Sequence, residues 1–159
     1  MTTTSDGRTV PYIVRREMGT INRAVYSIAI LHEPGTPLPS PWMKGTWNGK
    51  LVTTGNGGYS NALSYRDMAN ALAQGYAAVG GDTGHQSAAD DLLWGQGHPE
   101  KIIDWGSRSI HAITIPARRI VAHLAGRPAT RAYYYGCSTG GHQAYAEMQR
   151  YPEIGRAHV

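Results

Sequence analysis

In the first third of the chain, apolar residues lie among polar ones in two short runs, a pattern that is typical of β-strands. The apolar positions are Val10, Tyr12 and Val14 in one run and Val25, Ile28 and Ile30 in the next. Met18-Gly19-Thr20 between them is a turn signal, so the pattern predicts two N-terminal strands. Residues 33–41 then hold four of the nine prolines. Because proline lacks an amide donor, this segment is expected to be a surface connection.

Beyond Lys50, short apolar runs alternate with helical patterns. Strands are predicted at 50–54, 76–79 and 132–135, and helices at 64–74, 99–124 and 143–150. Gly75 lies where a helix-ending glycine belongs, and Pro116 is expected to kink or restart the second helix. This order predicts an α/β fold with a mostly parallel sheet and flanking helices.

The segment Gly136-Cys137-Ser138-Thr139-Gly140 carries the clearest candidate chemistry. It fits the pattern G-x-S-x-G, with a predicted strand directly before it and a predicted helix after it, which is the setting of a nucleophile elbow. Such a turn lifts the serine hydroxyl clear of the sheet, and small flanking residues leave room for close backbone packing. The alternative is a tight strand-to-helix turn in which Ser138 only caps the helix.

A nucleophilic serine needs amide donors for the oxyanion that forms when it attacks a carbonyl. The amide of Thr139, just after the proposed nucleophile, is the first candidate. The second is expected from the glycine loop, Gly55-Asn56-Gly57-Gly58, through Gly57 or Gly58. This segment has two other interpretations, an ordinary glycine loop or a phosphate-binding loop, but the sequence contains no G-x-x-x-x-G-K-[ST] pattern to support the latter.

Several motifs together resemble the tannase and feruloyl esterase family, including its aromatic-polyester monoester hydrolase relatives. These motifs are Trp47-Asn48-Gly49-Lys50, Gly55 to Gly58, Gly75-Tyr76-Ala77, Asp82-Thr83-Gly84-His85, Gly136 to Gly141 and Gln149-Arg150-Tyr151-Pro152. The resemblance implies a serine enzyme of the α/β-hydrolase type, secreted or periplasmic, that hydrolyses esters of aromatic acids such as gallate or ferulate. One departure is His142, where the family usually has arginine.

The resemblance also implies that the chain is incomplete. In the family, the catalytic Asp and His and a lid domain that often binds calcium follow the nucleophile helix. Cys137, the single cysteine of the chain, occupies a position that usually forms a disulfide with a cysteine beside that His. Residues 1–153 are therefore expected to be a partial catalytic domain, inactive or nearly so alone. Residues 154–159, Ile-Gly-Arg-Ala-His-Val, match the translation of a common sequencing adapter and are expected to be a non-native tail.

Other side chains near the motifs have both a functional and a structural interpretation. His85 follows a predicted parallel strand and is expected either to border the substrate or to order its own loop together with Asp82. His142 is expected to be a partly exposed helical residue that projects away from the reactive face of the elbow. Trp94 and Trp105 are interpreted as core or lid-base residues rather than as platforms for a ligand.

The histidines, the cysteine and the carboxylates show no metal-ligand spacing, so neither a metal nor a cofactor is expected within these residues. Asp104 and Glu147 are expected to be solvated residues of predicted helices. The net charge of +4 arises from fifteen scattered Lys and Arg residues. Such scatter does not form the basic patch of a nucleic-acid-binding protein.

The chain also lacks the signals of a membrane protein. No apolar run approaches the about 18 residues that a membrane span needs, and the polar segment Met1 to Thr9 lacks the apolar core of a signal peptide. The partner that the resemblance implies is a small aromatic ester, and neither nucleic acid nor a membrane is expected as a partner. The competing hypothesis is a non-catalytic α/β-hydrolase-like binding module that keeps the elbow as a structural turn.

Overall fold

The computed structural model of the chain describes residues 47–59, 62–85 and 91–153 in full, and the backbone of residues 2–3, 9–10, 12–18, 25–31 and 154. The strands are β1 (Thr2–Thr3), β2 (Thr9–Val10), β3 (Tyr12–Met18), β4 (Val25–Leu31), β5 (Lys50–Thr54), β6 (Ala77–Gly81) and β7 (Arg131–Tyr135). The α-helices are α1 (Tyr65–Ala73), α2 (Pro99–Ile103), α3 (Ser109–Ala125) and α4 (Thr139–Arg150). A π-helical segment covers Asp104–Arg108, and short 3-10 turns cover Leu93–Gly95 and Pro152–Ile154.

The predicted strands and helices are present, with shifted ends. The two N-terminal strands are β3 and β4, and α4 begins at Thr139 rather than at Gln143. Gly75 follows α1 with a φ of 81°, as expected of a helix-ending glycine. The turn at residues 19–20, the proline-rich segment 33–41 and the tail at 155–159 lie outside the described residues.

Five strands form one sheet in the order β3-β4-β6-β5-β7. The strand β5 pairs in parallel with both β6 and β7, whereas β4 pairs antiparallel with both β3 and β6. A separate short pair joins β1 to β2. Because the carboxyl ends of β5, β6 and β7 lie at one edge of the sheet, the segments that follow them are brought together there.

Helices cover both faces of the parallel strands. Leu51 of β5 belongs to the core cluster under α3 and α4, whereas its neighbour Val52 belongs to the cluster under α1. The same alternation occurs in β6, where Val79 faces α3 and Ala78 faces α1. Strands buried on both faces need apolar or small residues at successive positions, which explains the short continuous apolar runs of the sequence.

The long helical pattern is interrupted at a different place from the one predicted. The prediction that the helix restarts at Pro116 is wrong, because α3 continues through this residue from Ser109 to Ala125. The irregularity lies instead in the π-helical segment before α3, where the side chain of Asp104 packs under the loop after β6. A Cβ on Gly84 of that loop would lie 2.9 Å from the Asp104 side chain. Inserted residues of this kind are the usual origin of π-helical turns.

Candidate active site

Ser138 lies in the sharp turn between β7 and α4. Its φ of 56° and ψ of −116° place it in a region that non-glycine residues rarely adopt. The side chain is exposed, and within the described part of the chain its hydroxyl has no hydrogen-bond partner. Ser138 therefore occupies the N-cap position of α4 without making the capping bond that the structural alternative requires.

Three glycines around this turn lie where backbone segments approach closely, and at Gly55 and Gly136 a Cβ would not fit unless the backbone moved. A Cβ on Gly136 would lie 2.9 Å from the backbone of Gly140. One on Gly140 would lie 3.2 Å from the carbonyl oxygen of Asn56. A Cβ on Gly55 would overlap the Tyr134 hydroxyl and lie 2.8 Å from the Cα of Gly140. Larger residues at these positions would force β7, α4 and the glycine loop apart.

The glycine loop follows β5 and lies directly against the elbow. The amide of Gly55 donates to the last carbonyl of β7 at 2.8 Å. The amide of Asn56 donates to the Gln143 side chain at 3.1 Å, so it is occupied. Gly57 and Gly58 follow at the exposed tip of the loop. The two segments that the sequence predicts to carry oxyanion donors are therefore neighbours in the fold.

The amides at the start of α4 differ in what they bind. The Gly140 amide donates to the Cys137 carbonyl at 2.9 Å, and the His142 amide donates to the Ser138 carbonyl at 3.2 Å. Thr139 is the first residue of α4, so its amide has no acceptor within the helix. An amide of this kind, at the positive end of a helix, is suited to binding a developing negative charge.

A buried polar network, which the sequence analysis missed, joins the glycine loop to α4. Gln143 is 2% exposed and Asn56 is 4% exposed. The Gln143 amide nitrogen donates to Asn56 Oδ1 at 3.3 Å, and the Tyr134 hydroxyl donates to Gln143 Oε1 at 2.9 Å. Burial raises the pKa of Tyr134, which keeps its hydroxyl protonated as a donor. The available sequence signal was that Asn56 lies within the glycine loop and that Gln143 lies two residues after Gly141.

A second strained turn follows β6 at the same edge of the sheet. Thr83 has a φ of 59°, but its side chain is buried and its hydroxyl donates to the Asp82 carbonyl at 2.6 Å. The Asp82 carboxylate accepts the Gly84 amide at 2.9 Å. His85 is 3% exposed, and its Nε2 donates to the Tyr59 carbonyl at 2.9 Å. This placement favours the loop-ordering interpretation of His85, since little of its ring can reach a substrate.

An aromatic cluster runs from this second turn to α4. The His85 ring stacks on Trp94 with ring centres 4.0 Å apart. Trp105 contacts Trp94 at 6.2 Å, Tyr59 at 5.5 Å and His142 at 5.4 Å. Both tryptophans are half-buried, whereas Tyr59 and His142 at the margin of the cluster are exposed. His142 is thus exposed as predicted, but its ring contact with Trp105 was not predicted.

Two carboxylates that the sequence analysis places in solvent are buried. Asp104 is 1% exposed and Glu147 is 4% exposed. Asp104 accepts a hydrogen bond from Arg108 one turn later, and Glu147 Oε1 lies 3.2 Å from His111 Nδ1 of α3. The expectation is wrong because each carboxylate packs against a neighbouring segment of the chain instead of facing water.

The contact between His111 and Glu147 joins α3 to α4 away from the elbow. Burial raises the pKa of Glu147 to about 7, and the nearby charge of Glu153 adds to this effect. Burial lowers the pKa of His111, whose ring stacks on Tyr151 with centres 3.6 Å apart. Both shifts favour the uncharged forms of the two groups that meet at this contact.

Cys137, next to Ser138, is a free and exposed thiol. Within residues 47–59, 62–85 and 91–153, no group of three or more His, Cys, Asp and Glu residues is arranged to hold a metal ion. Among the described helices, none has the length and the apolar surface to cross a membrane.

Comparison with known sequences identifies related esterases. The family profile described as tannase and feruloyl esterase matches residues 38–154. The probable feruloyl esterase B of Aspergillus clavatus is 33% identical over 112 residues, which are 70% of this chain and 21% of that protein. The probable feruloyl esterase B-2 of Aspergillus terreus is 34% identical over 111 residues, with the same coverage of 70% and 21%. The chain thus spans about a fifth of the length of the curated relatives that it matches.

Solved structures share the fold. An esterase from Aspergillus oryzae superimposes with a TM-score of 0.71 and 27% identity, over 92% of this chain and 26% of that one. Feruloyl esterase B from Aspergillus oryzae superimposes with a TM-score of 0.72 and 24% identity, over 94% of this chain and 27% of that one. The tannin acyl hydrolase from Aspergillus niger superimposes with a TM-score of 0.72 and 17% identity, over 95% of this chain and 28% of that one. The predicted fold class is confirmed: the chain has part of the fold of the α/β-hydrolase esterases.

Proposed function

Because this chain belongs to the tannase and feruloyl esterase family, we propose that it is the nucleophile-bearing part of a serine carboxylic ester hydrolase. The proposed substrates are esters of aromatic acids such as gallate or ferulate, and the proposed location is secreted or periplasmic. The names of the similar fungal proteins support the substrate class. The observation that carries the proposal is the strained, exposed and unbonded Ser138 in a turn built by closely packed glycines.

In the first step, the Oγ of Ser138 attacks the ester carbonyl carbon. The hydroxyl proton passes to a histidine outside these residues, and the carbonyl electron pair moves to the oxygen. The amide of Thr139 and that of either Gly57 or Gly58 donate to this oxyanion. Donors that are fixed before the reaction stabilise the developing charge without reorganising. This is why a rigid contact between the glycine loop and α4 matters.

In the second step, the oxyanion collapses and the alcohol leaves with the proton from the imidazolium. Water then attacks the acyl-enzyme at Ser138, and the aromatic acid is released with the serine restored. Both steps need the histidine and the aspartate that orients it. In this proposal, sequence outside the 159 residues supplies them, so the present residues alone are expected to be inactive or nearly so.

The aromatic cluster supports the aromatic part of the proposed substrate. Tyr59 directly follows the glycine loop, and His142 lies in the first turns of α4. Their rings contact Trp105 from two sides while remaining exposed. Rings at this position can stack on a planar acyl group or on an aromatic alcohol group.

A fluorophosphonate probe tests the proposal in the full-length enzyme that contains this segment. The probe is expected to label Ser138, and methyl ferulate or methyl gallate is expected to be hydrolysed. Ser138→Ala is the matched control and should abolish both. A folded enzyme that is neither labelled at Ser138 nor active on these esters would favour the non-catalytic binding module instead.

A further inference from the structure

Two segments that are 87 residues apart in the chain exchange hydrogen bonds inside the protein. The backbone amide of Asn56 donates to Gln143 Oε1 at 3.1 Å. The side-chain amide of Gln143 donates back to Asn56 Oδ1 at 3.3 Å. Because both residues are almost fully buried, neither bond competes with water, and each amide group would be left unsatisfied if the other moved away.

The partners of this pair are themselves fixed. Gln143 Oε1 accepts a second hydrogen bond, from the Tyr134 hydroxyl of β7 at 2.9 Å. The side-chain nitrogen of Asn56 donates to the carbonyl of Gly81 in β6 at 2.8 Å and to that of Ala62 at 2.9 Å. The pair therefore links α4, two strands of the sheet and the far side of the glycine loop, and it has little freedom to shift.

The pair also decides which amides of the glycine loop are available to a substrate. The Asn56 amide is used by Gln143, so the remaining candidates are the next two amides of the loop. The Asn56 carbonyl lies 3.2 Å from the Cβ position of Gly140, one residue beyond Thr139. The contact between Gln143 and Asn56 therefore lies where the glycine loop meets the start of α4. Each of these two segments carries one of the proposed oxyanion donors.

We propose that Gln143 is a positioning residue: by pairing with Asn56 it holds the glycine loop against α4, and so keeps the two oxyanion donors at a fixed separation. This role rests on the proposed function. A buried glutamine that only satisfied the core would affect stability and leave the chemical step unchanged. A positioning residue affects kcat, because the oxyanion exists only after the attack and not in the bound ester.

The first test compares two variants of the full-length enzyme. Gln143→Met keeps the length of the side chain and removes both bonds to Asn56, so kcat should fall about 100-fold, with KM changed by less than about threefold. Thr114→Val is the control, because it removes the buried hydrogen bond between Thr114 of α3 and Thr53 of β5 but leaves Gln143, Asn56 and their partners intact. Its kcat should stay within about threefold of the wild type even where the loss of thermal stability is similar.

A second variant, Gln143→Glu, gives a readout that a purely structural role would not move. The neutral carboxyl can accept from the Asn56 amide and donate to Asn56 Oδ1, as the native amide does. The ionised carboxylate brings two acceptors together and repels the loop. The ratio of kcat between this variant and the wild type, measured well below the unfolding temperature, should therefore rise as the pH is lowered from about 8 to about 5.5.

The outcomes separate this role from the proposed function. A wild-type enzyme without fluorophosphonate labelling at Ser138 overturns both. Labelling at Ser138, together with a kcat of Gln143→Met within about threefold of that of Thr114→Val, overturns the positioning role alone. If Gln143→Met fails to fold, the pH series of Gln143→Glu decides, and a flat kcat ratio contradicts the role of Gln143.

Discussion

The two strained turns at the carboxyl edge of the sheet use the same backbone conformation in opposite ways. Thr83 and Ser138 are the two non-glycine residues with positive φ in the described part of the chain, at 59° and 56°. The Thr83 side chain is buried and its hydroxyl is bonded to the backbone. The Ser138 side chain is exposed and its hydroxyl has no described partner. Strain alone therefore does not identify a reactive residue.

What distinguishes the turns is where the stabilising contacts lie. At Thr83 the side chain itself contributes them, together with Asp82 and His85. At Ser138 they come from neighbours: the packed glycines on both sides and the buried pair of Asn56 and Gln143. A turn that is held by its surroundings leaves its own side chain free to react.

The largest expected effect separates the turns by activity. Ser138→Ala in the full-length enzyme should lower kcat by about 10⁴-fold or more, because the nucleophile acts in the transition state. Substrate binding should change little. Thr83→Ser keeps the hydroxyl of the other turn and should retain kcat within about threefold. Steady-state kinetics with methyl ferulate measure both, and a retained kcat in Ser138→Ala would mean that another group attacks.

The next effect tests whether close glycine packing supports the Ser138 turn. Gly55→Ala places a methyl group against Tyr134 and Gly140, and should lower the free energy of unfolding by about 3 kcal/mol. Gly141→Ala is the matched control, since no atom lies within 4 Å of a Cβ there. It should stabilise α4 by about 0.5–1 kcal/mol. Urea unfolding compares the two, and equal effects would refute the packing argument.

A smaller effect concerns the free energy of unfolding, to which the hydroxyl of Thr83 should contribute more than that of Ser138. Thr83→Val keeps the branched shape but removes the hydroxyl that contacts Asp82 and His85, so the free energy of unfolding should fall by about 1–2 kcal/mol. Ser138→Ala removes a hydroxyl without a described partner and should change the same quantity by less than about 0.5 kcal/mol. If both variants lost a similar free energy of unfolding, the bonded hydroxyl of Thr83 and the unbonded hydroxyl of Ser138 would not differ in their contribution to stability.

The smallest effect on the Ser138 turn is expected from a change at the opposite end of α4, where stability depends on pH. Burial raises the pKa of Glu147 from 4.5 to about 7. Between these values the folded state binds more protons than the unfolded state, so this group lowers the free energy of unfolding as pH rises through the window. The lowered pKa of His111 acts in the opposite direction below its ordinary value of 6.5.

Glu147→Gln should therefore gain about 2–3 kcal/mol over the wild type at pH 8 relative to pH 5. Glu153→Gln is the control, and should reproduce only a small part of this gain because burial is the main cause of the shift. Urea unfolding at the two pH values measures the difference. Fluorophosphonate labelling of Ser138 at pH 8 should be the same in both variants, and a change in labelling would show that the two ends of α4 are coupled.

Local patterns were sufficient to predict the elements that surround the elbow. The strand β5 was predicted with its observed bounds, and β7 within one residue, because each is a short run of strand-favouring residues that ends directly before a glycine. The proposed nucleophile could be singled out because strand, glycine turn and helix follow one another directly in the sequence. Both inferences depend on neighbouring residues, which is the range over which periodicity and turn chemistry operate.

The features that were missed depend on contacts between distant segments. Nothing in the amphipathic pattern of α4 shows that Glu147 faces His111 of another helix or that Gln143 meets Asn56. The burial of Asp104 depends on a π-helical segment that no local propensity marks. Helix periodicity assumes a regular turn, so one inserted residue changes which side chain faces the core.

The separation of 87 residues between Asn56 and Gln143 also has a consequence for the order in which the protein is assembled. The ribosome completes the glycine loop well before it adds α4, so the loop has no partner to dock on until synthesis has passed the serine. Closing a long loop carries an entropic cost that contacts must offset, which delays such pairings during folding. The turn around Ser138 can thus become rigid only after α4 has been synthesised and the glycine loop has docked on it.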